Sequence, residues 1–230
     1  MTETLSAYWQ YLKRPHLIKL VTDRTMLWKD ILGLSILNFV FAGMVCLVYW
    51  LLLKFNLIIK YEEYDLFQWG LLIAMVLGVI VAPILEEFVF RWHLRKPKLS
   101  VWFVLISLAL LISSFTSNEY IKFFIFISLL VMGLSVFPVI EKLSREKVVK
   151  LFRGYYVFLF YYTAVIFGYI HIINIKGLTV ADLSFIIYIS SQLFGGLTMG
   201  YIRVKYGLVY SMVLHGCFNA VAIPIAWTLI

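Results

Sequence analysis

The chain has 230 residues, of which 63% are hydrophobic and 14% are charged. A soluble domain is roughly 45–50% apolar and about 25% charged, and a fold of this size could not hide the excess apolar surface from water. The formal charge of +8 comes from short Lys and Arg clusters between apolar runs, not from the single basic stripe of a nucleic-acid-binding protein. Composition therefore predicts no nucleic-acid partner and an all-α, polytopic membrane bundle embedded in a lipid bilayer.

Residues 1–30 mix aromatic and basic side chains and contain nothing that resembles a cleavable signal peptide. Such a mixture is suited to the headgroup level of a membrane. We expect an interfacial, cytoplasmic N-terminal segment followed by an uncleaved first span.

Seven apolar runs have about the length that a bilayer requires. The predicted spans are 31–53, 68–90, 101–116, 120–140, 155–174, 182–204 and 207–229, of which the third is the shortest. Of the 20 Lys and Arg residues, 16 fall on alternate connecting segments beginning with the N-terminus and 4 on the others. The positive-inside rule then places the N-terminus in the cytoplasm and the C-terminus outside.

No internal repeat or flexible linker divides the chain, so residues 1–230 are predicted to form a single integral membrane domain. Cys46 and Cys217 lie inside apolar runs, and we expect both to be small buried hydrophobic residues. Lys exceeds Arg by 13 to 7, a composition that favours an AT-rich bacterial genome and hence a bacterial plasma membrane.

Ionisable groups inside a bilayer are costly and mark functional sites by default. The predicted spans place four of them, together with the amide of Asn219, inside the membrane. They are Glu86, Glu87, His171 and His215.

Glu87 precedes Arg91 by four residues, which is the favourable acid-to-base order for an ion pair on one helix face. Glu86 points about 100° away from that face and remains free to meet a cavity and take up a proton. Pro83 cannot donate to the carbonyl of Val79, so we expect a kink just before the pair. The alternative is that both carboxylates are interfacial charges.

Phe167 and His171 lie one helical turn apart, so the phenyl ring can orient the imidazole. His215 and Asn219 are also four residues apart and can present hydrogen-bond donors to one point. An interfacial histidine and an interhelical polar pair are the alternative interpretations of these two motifs.

In order, the motifs EExxxR from Glu86 to Arg91, FxxxH from Phe167 to His171 and HxxxN from His215 to Asn219 resemble the CPBP family, the CaaX protease and bacteriocin-processing (Abi) enzymes. The stretch from Gly195 to Asn219 is similar to the closing segment of that family. The motifs fall in residues 80–91 and 160–222.

The resemblance implies an intramembrane glutamic endopeptidase without a cofactor. Glu86 and His171 would activate a water molecule, and His215 and Asn219 would stabilise the oxyanion. Glu87, Arg91 and Phe167 would support the site.

The sequence departs from this family in one respect. FxxxH commonly follows EExxxR after about one helix, whereas 76 positions separate Arg91 from Phe167 here, which is room for two extra spans.

The depths of these residues along their predicted helices conflict with a shared site. At 1.5 Å per residue Glu86 lies about 8 Å inside the Arg91 end, whereas His171 lies about 27 Å beyond Arg153. The groups can meet only if the fifth helix begins outside the membrane or the second is strongly tilted.

Two alternatives remain open from the sequence. Zinc could be held by a glutamate and two histidines, although no HExxH pair is present and Arg91 would bring a cation near the metal. A non-catalytic immunity or signalling module that binds a bacteriocin, sensor kinase or secretion partner would also use a membrane bundle.

For the protease, the expected substrate is a membrane-proximal peptide such as a bacteriocin leader, a peptide signal precursor or a lipidated tail.

Overall fold

A computed structural model describes residues 2–62, 64–179, 182 and 184–228. Most of these residues lie in α-helices. The eight helices are α1 (Thr2–Lys13), α2 (Arg24–Lys54), α3 (Leu71–Arg95), α4 (Pro97–Ser113), α5 (Glu119–Lys142), α6 (Arg145–Ile170), α7 (Ser184–Lys205) and α8 (Leu208–Thr228). A short 3₁₀ turn, His171–Asn174, follows α6.

Six of these helices are long and apolar enough to cross a membrane, and α4 is a shorter apolar helix. The predicted all-α membrane bundle is confirmed, and the seven predicted spans coincide with α2 to α8. The chain is a multi-pass membrane protein. Of the predicted boundaries, residues 1, 229 and 230 lie outside the described residues.

Polar side chains set several helix ends. Asp23 accepts hydrogen bonds from the amides of Thr25 and Met26 at the start of α2, and Asn118 caps α5 in the same way. The turn between α7 and α8 contains Gly207 with φ of 119°, a conformation open mainly to glycine. These features define the starts of α2 and α5 and the turn between α7 and α8.

Helix α1 packs on one end of the bundle, which we call the basic end, where α2 begins and α7 ends. The ring of Tyr11 lies 5.3 Å from that of Phe160 on α6 and 5.1 Å from that of Tyr201 on α7. Phe152 and Tyr156, in the first turns of α6, belong to the same core. Helix α1 therefore packs against α6 and α7 in this core.

A buried polar network holds the basic end together. Asp30 on α2 accepts hydrogen bonds from Thr4 at 2.8 Å, Lys205 at 2.7 Å and Tyr206 at 2.8 Å. Burial, and then the bond to Asp30, raises the pKa of Tyr206 above its usual value, so the hydroxyl remains a donor. Arg203 and Lys205 are among the Lys and Arg residues counted between the predicted spans, where exposed loop charges are expected. Both are buried, because this network and the carbonyls of α3 surround them.

The inserted segment forms a hairpin of α4 and α5 that packs mainly within itself. Only 6% of the apolar window of α5 is buried, and large side chains such as Phe123, Phe124 and Leu134 are exposed. The hairpin contacts the rest of the bundle chiefly through α4, against α6 and the end of α3. The insertion thus leaves the packing of α3 on α8, and of α6 on α7, uninterrupted.

Small residues allow the helices that carry the site motifs to pack closely. A Cβ atom on Gly168 of α6 would lie 3.2 Å from the backbone nitrogen of Leu193, and one on Gly196 of α7 would lie 3.2 Å from the Cα of Ala164. Gly200, one turn after Gly196, likewise approaches the ring of Phe160, so these small residues let α6 and α7 pack closely.

Helix α3 contains a π-helical turn, Leu77–Val81, immediately before Pro83. The predicted distortion before the glutamates therefore takes the form of a π-helical turn, in which the amide of Ala82 bonds to the carbonyl of Leu77. Helix α8 approaches this turn at Gly216, where a Cβ atom would lie 2.8 Å from the Val79 carbonyl oxygen.

Gly216→Ala should destabilise the protein by about 1–3 kcal/mol, because backbone on both sides must shift to admit the methyl group. Gly154→Ala on α6 is the matched control, since a Cβ there meets nothing within 4 Å. Removing that glycine should raise stability by about 0.5–1 kcal/mol. Thermal unfolding in detergent measures both changes, and equal midpoints for the two variants would contradict the packing described here.

Candidate functional site

Glu87 and Arg91 form an ion pair in the interior of the bundle. The Arg91 Nη1 atom lies 3.1 Å from Glu87 Oε1, and both side chains are 0% exposed. The predicted pair is confirmed, and the alternative of two interfacial carboxylates is wrong for Glu87. Helix α3 continues to Arg95, so Arg91 does not mark the end of the span.

The guanidinium of Arg91 also stacks on Phe167 of α6, with its central carbon 3.7 Å from the ring centroid. A cation over an aromatic face gains electrostatic stabilisation, and more so when water is excluded. The backbone of the same segment is also held, because the Arg203 guanidinium of α7 donates to the carbonyl oxygens of Arg91 at 3.0 Å and Trp92 at 3.2 Å. The segment of α3 that carries the glutamates is thus fixed to α6 and α7.

Glu86 points to a different side and meets both histidines. Its Oε2 atom lies 3.8 Å from His171 Nε2 and 3.9 Å from His215 Nε2. Among the described residues this oxygen has no direct hydrogen-bond partner, although it is buried. The separations are too long for direct hydrogen bonds but allow one water molecule to bond to the carboxylate and to an imidazole.

The other nitrogen of each imidazole is anchored. His171 Nδ1 lies 2.7 Å from the Phe167 carbonyl oxygen, and His215 Nδ1 lies 3.2 Å from Glu87 Oε1. A carbonyl and an ionised carboxylate only accept, so both Nδ1 atoms carry the proton. We assign this tautomer from the bonding pattern, and it leaves both Nε2 atoms facing Glu86.

Phe167 orients the two rings. Its ring centroid lies 4.7 Å from that of His171 and 6.1 Å from that of His215, with interplanar angles of 65° and 85°. These are edge-to-face arrangements, which aromatic rings prefer. The predicted packing of Phe167 against His171 is confirmed, and Phe167 contacts Arg91 and His215 as well.

Asn219 lies one turn beyond His215, and its side-chain amide donates a hydrogen bond to the backbone of α3. Its Nδ2 atom donates to the carbonyl oxygen of Gly78 at 2.7 Å. The π-helical turn shifts the bond of Ala82 to Leu77, and Pro83 has no N–H, so neither supplies a donor to Gly78. Asn219 therefore fixes α8 to the distorted turn that precedes the glutamates, and one of its amide hydrogens remains available.

The depth conflict seen in the sequence is resolved by α6. This helix begins at Arg145, and its early turns, including Phe152 and Tyr156, pack in the core that α1 covers. With 26 residues the helix is about 39 Å long, and its far end brings His171 to Glu86. Four predicted site residues, Glu86, Glu87, His171 and His215, consequently meet in one cluster.

Both cysteines are exposed, which corrects the expectation that they are buried. In a membrane bundle an apolar face can be turned to lipid, so an apolar run does not place a cysteine in the interior.

Across residues 2–62, 64–179, 182 and 184–228, no group of three or more His, Cys, Asp or Glu side chains has a geometry that could hold a metal ion.

Sequence reasoning missed three contributors to the site. Arg203, counted as a loop charge, caps the carbonyl end of α3. Gly216 and the Gly78 carbonyl join α8 to the π-helical turn. Arg203 could have been found as a charge in the predicted span 182–204, whereas a backbone carbonyl freed by a π-helical turn leaves no sequence signal.

The family model for type II CAAX prenyl endopeptidases, Rce1-like, matches residues 68–221. The chain belongs to this family. The match includes all three motifs and the inserted hairpin, and it confirms the predicted CPBP membership. Members of this family are peptide hydrolases, so the chain is an intramembrane protease that acts on a peptide substrate. Neither the curated proteins nor the solved structures contain a match.

Arg91→Met should destabilise the fold by about 3–5 kcal/mol, because it leaves the Glu87 carboxylate buried without its cation. The double variant Glu87→Gln, Arg91→Met should recover most of that loss. Lys98→Met is the control, since it breaks the exposed Lys98–Glu141 pair and should change stability by less than about 1 kcal/mol. Thermal unfolding provides the comparison, and an Arg91 variant as stable as the Lys98 variant would refute a structural role for the pair.

Proposed function

We propose that the protease is a glutamic endopeptidase in which Glu86 and His171 activate a water molecule without a metal ion. The observation that carries the proposal is the convergence of Glu86 Oε2 with two imidazole Nε2 atoms at 3.8 and 3.9 Å. A water molecule between them would face a base and a second proton acceptor.

In the proposed reaction, Glu86 accepts a proton as the water oxygen forms a bond to the peptide carbonyl carbon. The free amide hydrogen of Asn219 and His215, the latter in its imidazolium form with hydrogen on both ring nitrogens, stabilise the oxyanion that results. Collapse of the tetrahedral intermediate breaks the C–N bond, and the proton held by Glu86 passes to the leaving nitrogen. The products are an amine and a carboxylic acid, which ionises by releasing its proton to water, and no covalent enzyme intermediate is required.

Glu87, Arg91 and Phe167 support this chemistry in our proposal. Glu87 orients His215 through Nδ1, and Arg91 keeps Glu87 ionised at a distance of 3.1 Å. An acceptor that binds the Nδ1–H of an imidazole fixes both the ring orientation and the tautomer. The Arg91 cation also opposes binding of a divalent ion nearby, which favours activation of water without zinc.

The proposed substrate is a membrane-proximal peptide of a bacterial cell, with the bacteriocin leader, the peptide signal precursor and the lipidated tail as candidates. We further propose that residues 1–230 act as one domain in the plasma membrane with the N-terminus in the cytoplasm. The Lys and Arg distribution between the spans supports this orientation.

Glu86→Gln should abolish processing, with a loss of at least about 10²-fold, because general base catalysis contributes about 10²–10⁴-fold. The substitution is nearly isosteric and removes no buried ion pair, so the protein should remain folded and inserted. Comparative peptidomics of cells that carry the active protein or the variant measures this outcome and identifies the substrate at the same time.

Glu119→Gln is the control for that comparison, since Glu119 is an exposed carboxylate that pairs with Lys122 on the same helix. Peptides cut equally by the Glu86 variant and the control would remove the enzymatic mechanism. A biological phenotype that persists while Glu86→Gln blocks cleavage would favour the non-catalytic immunity or signalling role.

Elemental analysis of active, purified protein tests the metal question. Less than about 0.1 zinc per chain is expected, together with activity that survives strong chelators, because Glu86 and the imidazoles suffice to activate water. Stoichiometric zinc, lost together with activity on chelation, would replace the proposed mechanism with a metalloprotease.

A further inference from the structure

A cleft of about 330 Å³ adjoins the proposed catalytic centre, and its wall includes His171. It lies between α2, the 3₁₀ turn after α6 and the first half of α7. We call it the amide cleft, and its polar lining residues are Tyr49, His171, Asn174, Tyr188, Ser191 and Gln192.

Two carboxamides in this lining are available for a ligand. Among the described residues, neither the Asn174 nor the Gln192 side chain makes a hydrogen bond or ion pair. A carboxamide both donates and accepts, which matches the N–H and C=O groups of a peptide backbone. An extended peptide inside a bilayer must satisfy those groups, since each one left unpaired in an apolar medium is costly.

A second cavity shows the contrast. It has a volume of about 470 Å³ and is lined mainly by apolar residues of α3, α4 and α6, including Phe88, Phe103 and Ile170. Neither Glu86 nor the histidines that face it line this cavity. It suits hydrocarbon and would leave a peptide backbone unpaired, so the amide cleft is the better fit for the chain to be cut.

The amide cleft lies at the end of the bundle opposite the basic end. Its rim is braced by hydrogen bonds from Tyr61 to Asp182 at 2.6 Å and between Tyr49 and Tyr188 at 2.8 Å. Lys176 and Glu62 pair across the same rim, both through the backbone and through their side chains. The distribution of Lys and Arg assigns this end to the extracytoplasmic side.

We propose that the amide cleft binds the substrate as an extended peptide from the extracytoplasmic side, with Gln192 and Asn174 bonding to the backbone beside the scissile bond. This inference rests on the proposed function and adds the binding mode and the side of entry. Recognition through the backbone makes the cleft tolerant of substrate side chains, whereas the position of His171 selects the bond that is cut.

The two native cysteines allow a test that does not depend on catalysis. Cys46 lines the amide cleft, whereas Cys217 is exposed on α8 and does not line it. A charged methanethiosulfonate reagent reacts with the thiolate, which forms in water and not in hydrocarbon. In the Glu86→Gln background, a Cys217→Ala variant reports on Cys46 and a Cys46→Ala variant reports on Cys217.

In right-side-out vesicles, the reagent should label Cys46 at least about 10-fold faster than Cys217. In inverted vesicles, Cys46 should be protected from it. Labelling of Cys46 only from the inverted side would overturn the proposed side of entry. No labelling from either side would overturn the aqueous cleft itself.

The ligand is tested with a random-sequence pool of N-acetylated, C-amidated decapeptides, which should slow labelling of Cys46. Adding Gln192→Leu should weaken this protection about 3- to 10-fold, the loss expected for one hydrogen bond. Ser190→Ala is the control on the same helix, because the Ser190 hydroxyl donates to the Ile186 carbonyl and does not line the cleft. It should leave protection unchanged.

An unaltered rate of Cys46 labelling in the absence of peptide shows that the Gln192→Leu variant is folded around an intact cleft. Equal protection in that variant and in the control would refute backbone binding by Gln192. Absence of protection in any variant would refute the peptide-binding role. Because every arm uses Glu86→Gln, these outcomes are separate from the cleavage experiment, which alone decides whether the protein is a glutamic protease.

Discussion

The buried ion pair between Glu87 and Arg91 is the constraint on which the site depends. A carboxylate and a guanidinium that are both fully buried stabilise the fold only as a pair, since either one alone is a costly buried charge. Each also has a second contact, Arg91 with the ring of Phe167 and Glu87 with His215. The pair thereby joins α3 to α6 and α8 at the level of Glu86.

The division between the adjacent glutamates follows from this geometry. Glu87 is committed to a cation and an imidazole, whereas Glu86, one residue earlier, faces two imidazole nitrogens. The π-helical turn before Pro83 sets the rotation of that segment, and Asn219 and Gly216 fix α8 against the turn. The backbone of this turn, together with Gly216 and Asn219 of α8, therefore determines where the reactive carboxylate points.

Much of this arrangement could be predicted from the sequence, because the bilayer makes each internal charge informative. The spacing of Glu87 and Arg91 gave the ion pair, and that of Phe167 and His171 gave the ring contact. The sequence placed Arg91 at a span end and both cysteines inside, since apolar runs do not tell a lipid-facing side from an interior one. The burial of Lys205 depends on Asp30, 175 positions earlier, and such a partner can be found only in the folded chain.

The central claim is that Glu86 and two imidazoles surround one solvent molecule within the membrane bundle. A high-resolution cryo-electron microscopy map of the full chain in lipid nanodiscs tests it most directly. We predict a single solvent peak within hydrogen-bond distance of Glu86 Oε2 and of the Nε2 atoms of His171 and His215. A map in which either imidazole turns away from Glu86, or in which a protein side chain fills that position, would contradict the account.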